Sequence, residues 1–440
     1  LIFLPLLLLL RVFTHSALKP AMPPVITKRP FNIFWAAPTM QCQHFFNVDL
    51  NLQLFNIISN PLETQSGSTI AIIYPNELGC YPYFSPEGKS FNGGIPQNMS
   101  LPTHLRKTAD DIAKVFPWWR SEGLVIIDWE SWKPQWDRNW GNRVIYKNHS
   151  LDFTRNHHPD WSEMKVRTVA QKEFETAGKS IMNATLTLAL EMRPKCLWGF
   201  YLYPDCYNYD YRINPQTYTG KCPSDEIFRN DQLQWLWEKS RALYTSVYLD
   251  KILKSSLNAL KFVHYRVREA MRIAEMAKDD YVLPVFIFSR PFYLNNLIST
   301  IGESAALRTV GIMKQFVSSD LGSYIVNVTR AAEVCSLHVC RNNGRCIRKV
   351  WKMPDYLHLN PASYHIEASE DGEFTVKGRA SDTDLAVLAE RFSCHCYQGY
   401  QGADCREMKT ADGCSGPSSI SGSLLTLCLL VSTGYQSRQW

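Results

Sequence analysis

The 440-residue sequence lacks any compositional extreme. Apolar residues make up 45%, charged residues 20% and aromatic residues 12%, which is close to the average of globular proteins and excludes collagen, coiled coil and wholesale disorder. The 47 basic and 41 acidic residues leave a net charge of only +6. Such a charge is compatible with a polyanionic ligand but does not require one.

Motifs for nucleotide, nucleic-acid and metal chemistry are also missing. The sequence contains no P-loop, no G-x-G-x-x-G and no H-E-x-x-H. We therefore expect no cofactor, no metal and no nucleic-acid partner.

The apolar run at the N-terminus is too short to span a bilayer, and Arg11 interrupts it. It predicts a signal peptide over residues 1–17, cleaved near Ala17, with a buried N-terminal helix as the alternative. Export is also required to use the four N-glycosylation sequons. Their asparagines are Asn98, Asn148, Asn183 and Asn327.

Residues 412–440 have the pattern of a GPI-anchor signal. Small residues around Asp412 are followed by a Ser/Gly spacer and by an apolar run over Leu424–Val431. The alternative is a flexible secreted tail. Both interpretations place the protein in the secretory pathway, anchored at the cell surface or secreted.

Thirteen cysteines likewise favour an oxidising compartment. Cys206 and Cys222 bracket a loop rich in Tyr and Pro and are expected to pair. Residues 335–405, which include a long insertion, resemble an EGF-like module. That resemblance implies the pairs Cys335–Cys346, Cys340–Cys394 and Cys396–Cys405, although six cysteines alone allow fifteen pairings. A zinc site is the alternative, with the ligands Cys335, His338, Cys340 and Cys346.

Short apolar runs alternate with helical patterns before this module. Repeated strand–helix units predict a parallel sheet, and six strands in one long domain favour an α/β fold, a (β/α) TIM-like barrel over residues 25–330. The predicted strands are Asn32–Trp35, Thr69–Tyr74, Leu124–Glu130, Leu197–Tyr203, Tyr244–Leu249 and Tyr281–Phe288. The predicted helices are Pro102–Val115, Ser162–Met192, Asp225–Leu243 and Leu257–Met276, the last with its apolar face at Leu260, Val263, Val267, Ala270 and Ala274.

A seventh strand is expected after the helical stretch Leu297–Arg308. Only Thr309–Ile312 is available before the next helical pattern, and four residues are too few to cross a barrel. We therefore expect a barrel that lacks a strand on one side.

The strongest chemical signal lies where the third predicted strand ends. Asp128 and Glu130 follow the aliphatic run Leu124–Ile127 at a spacing of two, which points both side chains to the same side. Active sites of barrels lie at the carboxyl ends of the strands. Two adjacent carboxylates resist double ionisation, so one keeps a proton near neutral pH. A general acid that cleaves a glycosidic bond requires such a proton.

Tryptophans surround this pair in the sequence. Trp129, Trp132 and Trp136 are expected to supply apolar walls and faces for stacking on sugars. The alternative for the two carboxylates is structural: they cap a neighbouring helix or form ion pairs.

The sequence resembles the animal hyaluronidases, glycoside hydrolase family 56, from about Pro30 to Ser415. From Gln315 to Ser415 the match is closest to the GPI-anchored, chondroitin-hydrolysing type-four branch of that family. The segments that carry the resemblance are Phe91–Gln97, Ile127–Glu130, Leu197–Asn208, Thr300–Ala306 and the Cys-rich tail.

This resemblance implies a retaining endo-β-N-acetylhexosaminidase that hydrolyses hyaluronan or chondroitin with the help of the substrate's own N-acetyl group. Glu130 is implied as acid and base. Asp128 is implied to orient the acetamide and to raise the pKa of Glu130. Tyr201 and Tyr248 are implied as substrate contacts, and Arg266 is implied to serve the polyanionic chain, with a solvated helix face as its alternative.

The sequence departs from the family at three points. The strand that carries a cleft-lining Trp is missing, and Cys42 lacks its usual partner, for which Cys80 and Cys196 are possible substitutes. Tyr248 stands where the chondroitin-selective branch tends to have Cys. Two alternatives to an active hydrolase follow: a catalytically impaired surface protein that binds glycosaminoglycans, and a misfolded product retained in the cell.

Overall fold

The structure is a computed structural model that describes residues 18–37, 39–50, 52, 57–61, 67–290, 293, 314–350, 352–369 and 373–409. The chain separates into one unit over Leu1–Met408 and another over Lys409–Trp440, and every element below belongs to the first. Several predicted features lie outside the described residues: the signal peptide 1–17, the tail 412–440, Leu297–Arg308, the Thr300–Ala306 motif and Thr309–Ile312.

Short parallel strands form the centre of the described fold. β3 (Ile70–Ile73), β6 (Gly123–Ile127) and β7 (Cys196–Phe200) lie in the order β3-β6-β7, and their last residues pair with one another. β3 and β6 consist largely of buried β-branched residues, which suits a parallel sheet covered on both faces. Three carboxyl ends therefore meet at one edge.

A second parallel pair continues this arrangement. β8 (Leu243–Ser246) pairs with β9 (Val285–Phe288), and a parallel bridge between Tyr201 and Tyr244 joins β8 to the end of β7. The carboxyl ends of β6, β7, β8 and β9 thus follow one another in sequence order.

A third parallel pair comes from the N-terminal region. β1 (Phe34–Trp35) pairs with β2 (Ile58–Ser59), a strand that the sequence did not predict. Between β3 and β6, the short strands β4 (Tyr83–Phe84) and β5 (Ser90–Phe91) form an antiparallel pair. The Phe34 ring lies 5.7 Å from that of Phe286. The Asn60 side chain hydrogen-bonds both backbone groups of the first residue of β3. The six predicted strands thus occupy the expected positions in a mixed α/β fold. Each is shorter than predicted, and β6, β7 and β8 begin one residue earlier.

Helices cover the strands and pack on one another. The long helix over Glu163–Met192, α4, begins at a true cap, since the Ser162 hydroxyl accepts from the backbone N–H of Lys165 at 3.4 Å. Before the C-terminal region the helices are α1 (Met40–Phe46), α2 (Leu101–Val115), α3 (Val144–His157), α4 (Glu163–Met192), α5 (Ser224–Asp231), α6 (Gln234–Lys239) and α7 (Leu257–Met276).

The predicted helix Asp225–Leu243 is wrong as a single element. It divides into α5 and α6, and Leu243 instead begins β8. At the break, the Asn230 carbonyl accepts from the Leu233 N–H and from the buried Trp237 indole. In a continuous helix it would accept from the N–H four residues further on. Burial of one large aromatic ring therefore decides where the helix ends.

The predicted apolar face of α7 is also wrong in part. Leu260 is 58% exposed, whereas the buried residues include Arg266 and Glu269. Both belong to a buried polar network, which the hydrophobic pattern could not indicate.

Antiparallel strands and two helices make up the C-terminal region. The predicted boundary between residues 330 and 335 falls inside a continuous helix, α8. The elements are α8 (Gly322–Cys340), β10 (Gly344–Arg348), β11 (Tyr364–Ala368), β12 (Phe374–Gly378), α9 (Asp382–Arg391), β13 (Phe392–Cys396), β14 (Tyr400–Gln401) and β15 (Glu407–Met408). β10 pairs with β13, β11 with β12 and β14 with β15.

Among the described residues there are four disulfides, in the same pairs that were expected from the sequence. They are Cys206–Cys222, Cys335–Cys346, Cys340–Cys394 and Cys396–Cys405. The alternative zinc site is therefore wrong, because its three sulfurs are already bonded. Cys80 and Cys196 are thiols, so neither is the substitute partner of Cys42.

Within the described ranges, no helix is both long enough and apolar enough to cross a membrane.

Candidate active site

The two predicted acids lie immediately beyond β6. The strand ends at Ile127, and the backbone N–H of Asp128 still donates to the Ile73 carbonyl at 2.9 Å. Extended backbone of this kind directs alternate side chains to one side. Asp128 and Glu130 accordingly meet at the edge where the parallel strands end.

The two carboxyl groups share a hydrogen bond. Burial, the negative charge of Glu130 and this hydrogen bond together raise the pKa of Asp128 to about 7. Oδ1 of Asp128 is buried and has no hydrogen-bond partner among the described residues. The pair thus holds one proton near neutral pH, as the sequence predicts.

Two tyrosines lie at the same edge, just beyond the ends of β7 and β8. Tyr201 directly follows β7, its backbone N–H donates to the Ile127 carbonyl at 3.0 Å, and its hydroxyl is hydrogen-bonded to those of Tyr248 and Ser246. Burial, then Tyr248 and Glu130, raise the pKa of Tyr201 well above its usual value. Tyr201 therefore remains a neutral donor. Four predicted site residues come together in this way.

Trp129 does not line the site, and its predicted role in stacking on sugars is corrected. The indole is 3% exposed and stacks on the Tyr81 ring at 4.7 Å, with Phe200 at 5.4 Å. Because it lies between the two acids, the same alternation that groups them sends Trp129 to the opposite side. Trp132 and Trp136 are also buried.

Arg266 lies behind the site rather than on its surface. The side chain is 2% exposed and donates from Nη2 to Asp205 at 2.9 Å and from Nε to the Ser246 carbonyl at 2.8 Å. The alternative of a solvated helix face is wrong. In this structure the guanidinium fixes the loops after β7 and β8.

Lys133 is a site residue that the sequence did not indicate. Its ammonium is buried without a hydrogen-bond partner among the described residues and lies 4.4 Å from the centroid of the Tyr203 ring. Burial, aided by the charge of Arg143, lowers the pKa of Lys133 to about 8. Its charge also opposes the rise in the pKa of Asp128. Position 133 follows Glu130 by three residues, a proximity that could have drawn attention to it.

Trp140 is a second residue near this edge that the sequence did not indicate. Trp140 is 50% exposed, and its ring packs edge-on against Tyr207 at 5.1 Å. Nearby, Nε of Arg143 donates to the Glu130 carbonyl at 3.0 Å. Because its ring is exposed, Trp140 can stack on a sugar. The sequence had predicted this role for Trp129, Trp132 and Trp136, which are all buried.

The four sequons differ in accessibility. Asn98 and Asn148 are both exposed, although the Asn98 amide donates to the Gly93 carbonyl at 3.1 Å and Asn148 lies within α3. Asn183 and Asn327 lie within long helices, and Oδ1 of Asn327 accepts from the Leu359 N–H at 2.9 Å. Asn183 and Asn327 are half-buried, so Asn98 and Asn148 are the more accessible acceptors.

Comparison with known proteins identifies a matching family. The family described as hyaluronidase, glycoside hydrolase family 56, matches residues 20–409. Hyaluronidase-4 of Homo sapiens is 52% identical over 96% of this chain and 93% of its own. Hyaluronidase-1 of Cerastes cerastes is 47% identical over 93% of this chain and 98% of its own.

Solved structures agree as well. A crystal structure of bee venom hyaluronidase is 27% identical, with a TM-score of 0.57, and covers 67% of this chain and 99% of its own. Bee venom hyaluronidase in complex with a hyaluronic acid tetramer is 29% identical, with a TM-score of 0.56, and covers 66% of this chain and 97% of its own.

Proposed function

The chain belongs to the hyaluronidase family of glycoside hydrolases, family 56, and we propose that it is an endo-β-N-acetylhexosaminidase acting on hyaluronan, chondroitin or both. The observation that carries this proposal is the hydrogen-bonded pair of Asp128 and Glu130 at the edge where parallel strands end. A similar structure that holds a hyaluronic acid tetramer supports the substrate class.

Cleavage begins with a proton from Glu130. The acid protonates the glycosidic oxygen while the carbonyl oxygen of the substrate's N-acetyl group attacks the anomeric carbon and expels the leaving sugar. The product of this step is a cyclic, positively charged intermediate. No protein carboxylate forms a bond to the sugar.

Asp128 stabilises that intermediate when it is ionised. Its carboxylate accepts from the acetamide N–H, whose positive charge grows as the ring closes. The reactive form of the pair therefore has its single proton on Glu130, although Asp128 has the raised pKa. Substrate binding favours this form because the N–H hydrogen bond requires a charged Asp128.

Water completes the reaction. The Glu130 carboxylate removes a proton from a water molecule, which attacks the anomeric carbon and opens the ring. The two steps each invert the anomeric carbon, so its configuration is retained overall, and Glu130 regains its proton. The linked hydroxyls of Tyr201 and Tyr248 are placed to contact the acetamido group.

We further propose a (β/α) barrel over residues 25–330, incomplete on one side, followed by an EGF-like module over residues 335–405. The row of parallel strands and the three C-terminal disulfides support this division. Disulfides persist in oxidising compartments, which supports export through the secretory pathway. The GPI anchor rests on the sequence of residues 412–440 alone.

The variant Glu130→Gln tests the proposed function. Release of reducing ends from hyaluronan and from unsulfated chondroitin should fall by about 10²- to 10⁴-fold, the contribution of general acid–base catalysis. Asp137→Asn is the matched control, because Asp137 is an exposed acid of the same loop. Unchanged cleavage by Glu130→Gln would show that Glu130 is not the general acid and base. Binding without chain shortening by the wild type would identify a binding protein instead.

A further inference from the structure

Four neighbouring strands each place one residue at the same edge. Glu130 lies three residues beyond β6, Tyr201 one beyond β7, Tyr248 two beyond β8 and Arg290 two beyond β9. The hydroxyls of Tyr201 and Tyr248 are hydrogen-bonded to each other. The row therefore runs without interruption from the catalytic acid to an arginine.

Arg290 is held in place by an aromatic ring. The central carbon of its guanidinium lies 4.1 Å from the centroid of the Tyr248 ring, and the side chain is exposed. Among the described residues, no carboxylate forms an ion pair with it. A guanidinium stacked on a ring keeps its N–H edge available and loses less freedom when it binds an anion.

Other arginines near the site are already engaged. Arg266, to which the resemblance assigns the polyanionic chain, is buried and paired with Asp205. Arg143 is partly buried and donates to the Glu130 carbonyl. Arg290 is more accessible to a substrate than either.

We propose that Arg290 binds a uronate carboxylate of the polysaccharide, as a two-pronged hydrogen-bonded pair, at a subsite beyond Tyr248. Neighbouring parallel strands lie about 4.8 Å apart, so three strand steps put Arg290 roughly 14 Å from the scissile bond. It would therefore contact a sugar away from the two that react. This inference rests on the proposed substrate class and assigns Arg290 to specificity and affinity, not to the chemical step.

Binding to a full-length Glu130→Gln protein tests this subsite without turnover. The probes are a hyaluronan oligosaccharide and the same oligosaccharide with its carboxylates reduced to alcohols. Arg290→Gln should raise the Kd for the native oligosaccharide by roughly fivefold, the contribution of a partly exposed charge-assisted pair, and leave the Kd for the reduced one unchanged. Arg290→Lys should give a smaller effect, because lysine keeps the charge but not the planar fork.

Arg120→Gln is the matched control. Arg120 is also exposed and stacked on an aromatic ring, Trp119, at 4.8 Å, but it precedes β6 and lies at the opposite ends of the strands. Its substitution should leave both Kd values unchanged. In the catalytically intact chain, Arg290→Gln should raise KM for hyaluronan with little change in kcat.

Several outcomes would overturn the subsite. One is an unchanged Kd with Arg290→Gln, another an equal loss with Arg120→Gln, and a third an equal loss with the reduced oligosaccharide. Absence of any hyaluronan binding by the Glu130→Gln protein would overturn it too. If the native chain fails to cleave, but binding still depends on Arg290 as described, the hydrolase proposal fails and the subsite stands.

Discussion

Nη2 of Arg266 lies 2.9 Å from Oδ1 of Asp205, and the two side chains are only 2% and 13% exposed. Burial acts to raise the pKa of Asp205, but the charges of Arg266 and Lys133 lower it below its usual value. Asp205 is followed by Cys206 of the first disulfide and hydrogen-bonds the loop after β7. The Arg266–Asp205 ion pair therefore holds in place the segments that follow β7 and β8, which carry Tyr201 and Tyr248.

Breaking that pair should destabilise the fold. Arg266→Met leaves the buried Asp205 carboxylate without its guanidinium partner, which costs about 3–5 kcal/mol in the free energy of unfolding. The double variant with Asp205→Asn should recover part of the loss, because no charge is then left without a partner. Denaturant unfolding measures both values, and equal losses in the single and double variants would contradict the argument.

The same pair makes stability depend on pH. Because the folded pKa of Asp205 is lowered, its contribution is fully present above the usual aspartate range. It should be lost as the pH falls through the folded pKa. The unfolding free energy of Arg266→Met should therefore fall less steeply on acidification than that of the wild type. An identical slope would show that other groups dominate.

The alkaline limb of the activity profile should depend on Lys133. The reactive pair needs one proton, so kcat should fall as the pH rises through about 7, the pKa of Asp128. The charge of Lys133 lowers that pKa, so Lys133→Met should move the limb to higher pH. The control Lys133→Arg keeps the charge and should keep the limb in place. Equal shifts in the two variants would mean that packing, not charge, is responsible.

Trp129 and Trp140 should behave in opposite ways. Trp129→Ala empties a buried stack and should cost about 3–5 kcal/mol of stability. Trp129→Phe, which keeps a ring there, should leave KM close to the wild-type value. Trp140→Ala should change stability by less than about 0.5 kcal/mol but raise KM, since the exposed ring is available to sugars. A large rise in KM with Trp129→Phe would restore the original expectation for that residue.

The sequence predicted the strand positions and the acid pair because both depend on local pattern. Aliphatic runs mark buried parallel strands, and a spacing of two groups Asp128 with Glu130. The same alternation, applied to the residue between them, would have placed Trp129 in the core. The burial of Trp129 could therefore have been predicted from the sequence.

Other features depend on contacts between distant segments. The buried face of α7 includes Arg266 because Asp205, sixty-one residues away, neutralises it. The break between α5 and α6 depends on where Trp237 is buried. Lys133 and Arg290 become site residues only when the ends of β6 to β9 are placed side by side. No periodicity within one segment carries this information.

A titration of Asp128 tests the central claim, a single proton shared by two neighbouring acids. In a chain labelled with ¹³C at aspartate carboxyls, the Asp128 resonance, assigned with Asp128→Asn, should titrate with a midpoint near pH 7. In Glu130→Gln, which removes the neighbouring charge, the midpoint should move to lower pH. A midpoint near pH 4 in the wild type, or one that Glu130→Gln leaves unchanged, would contradict the account.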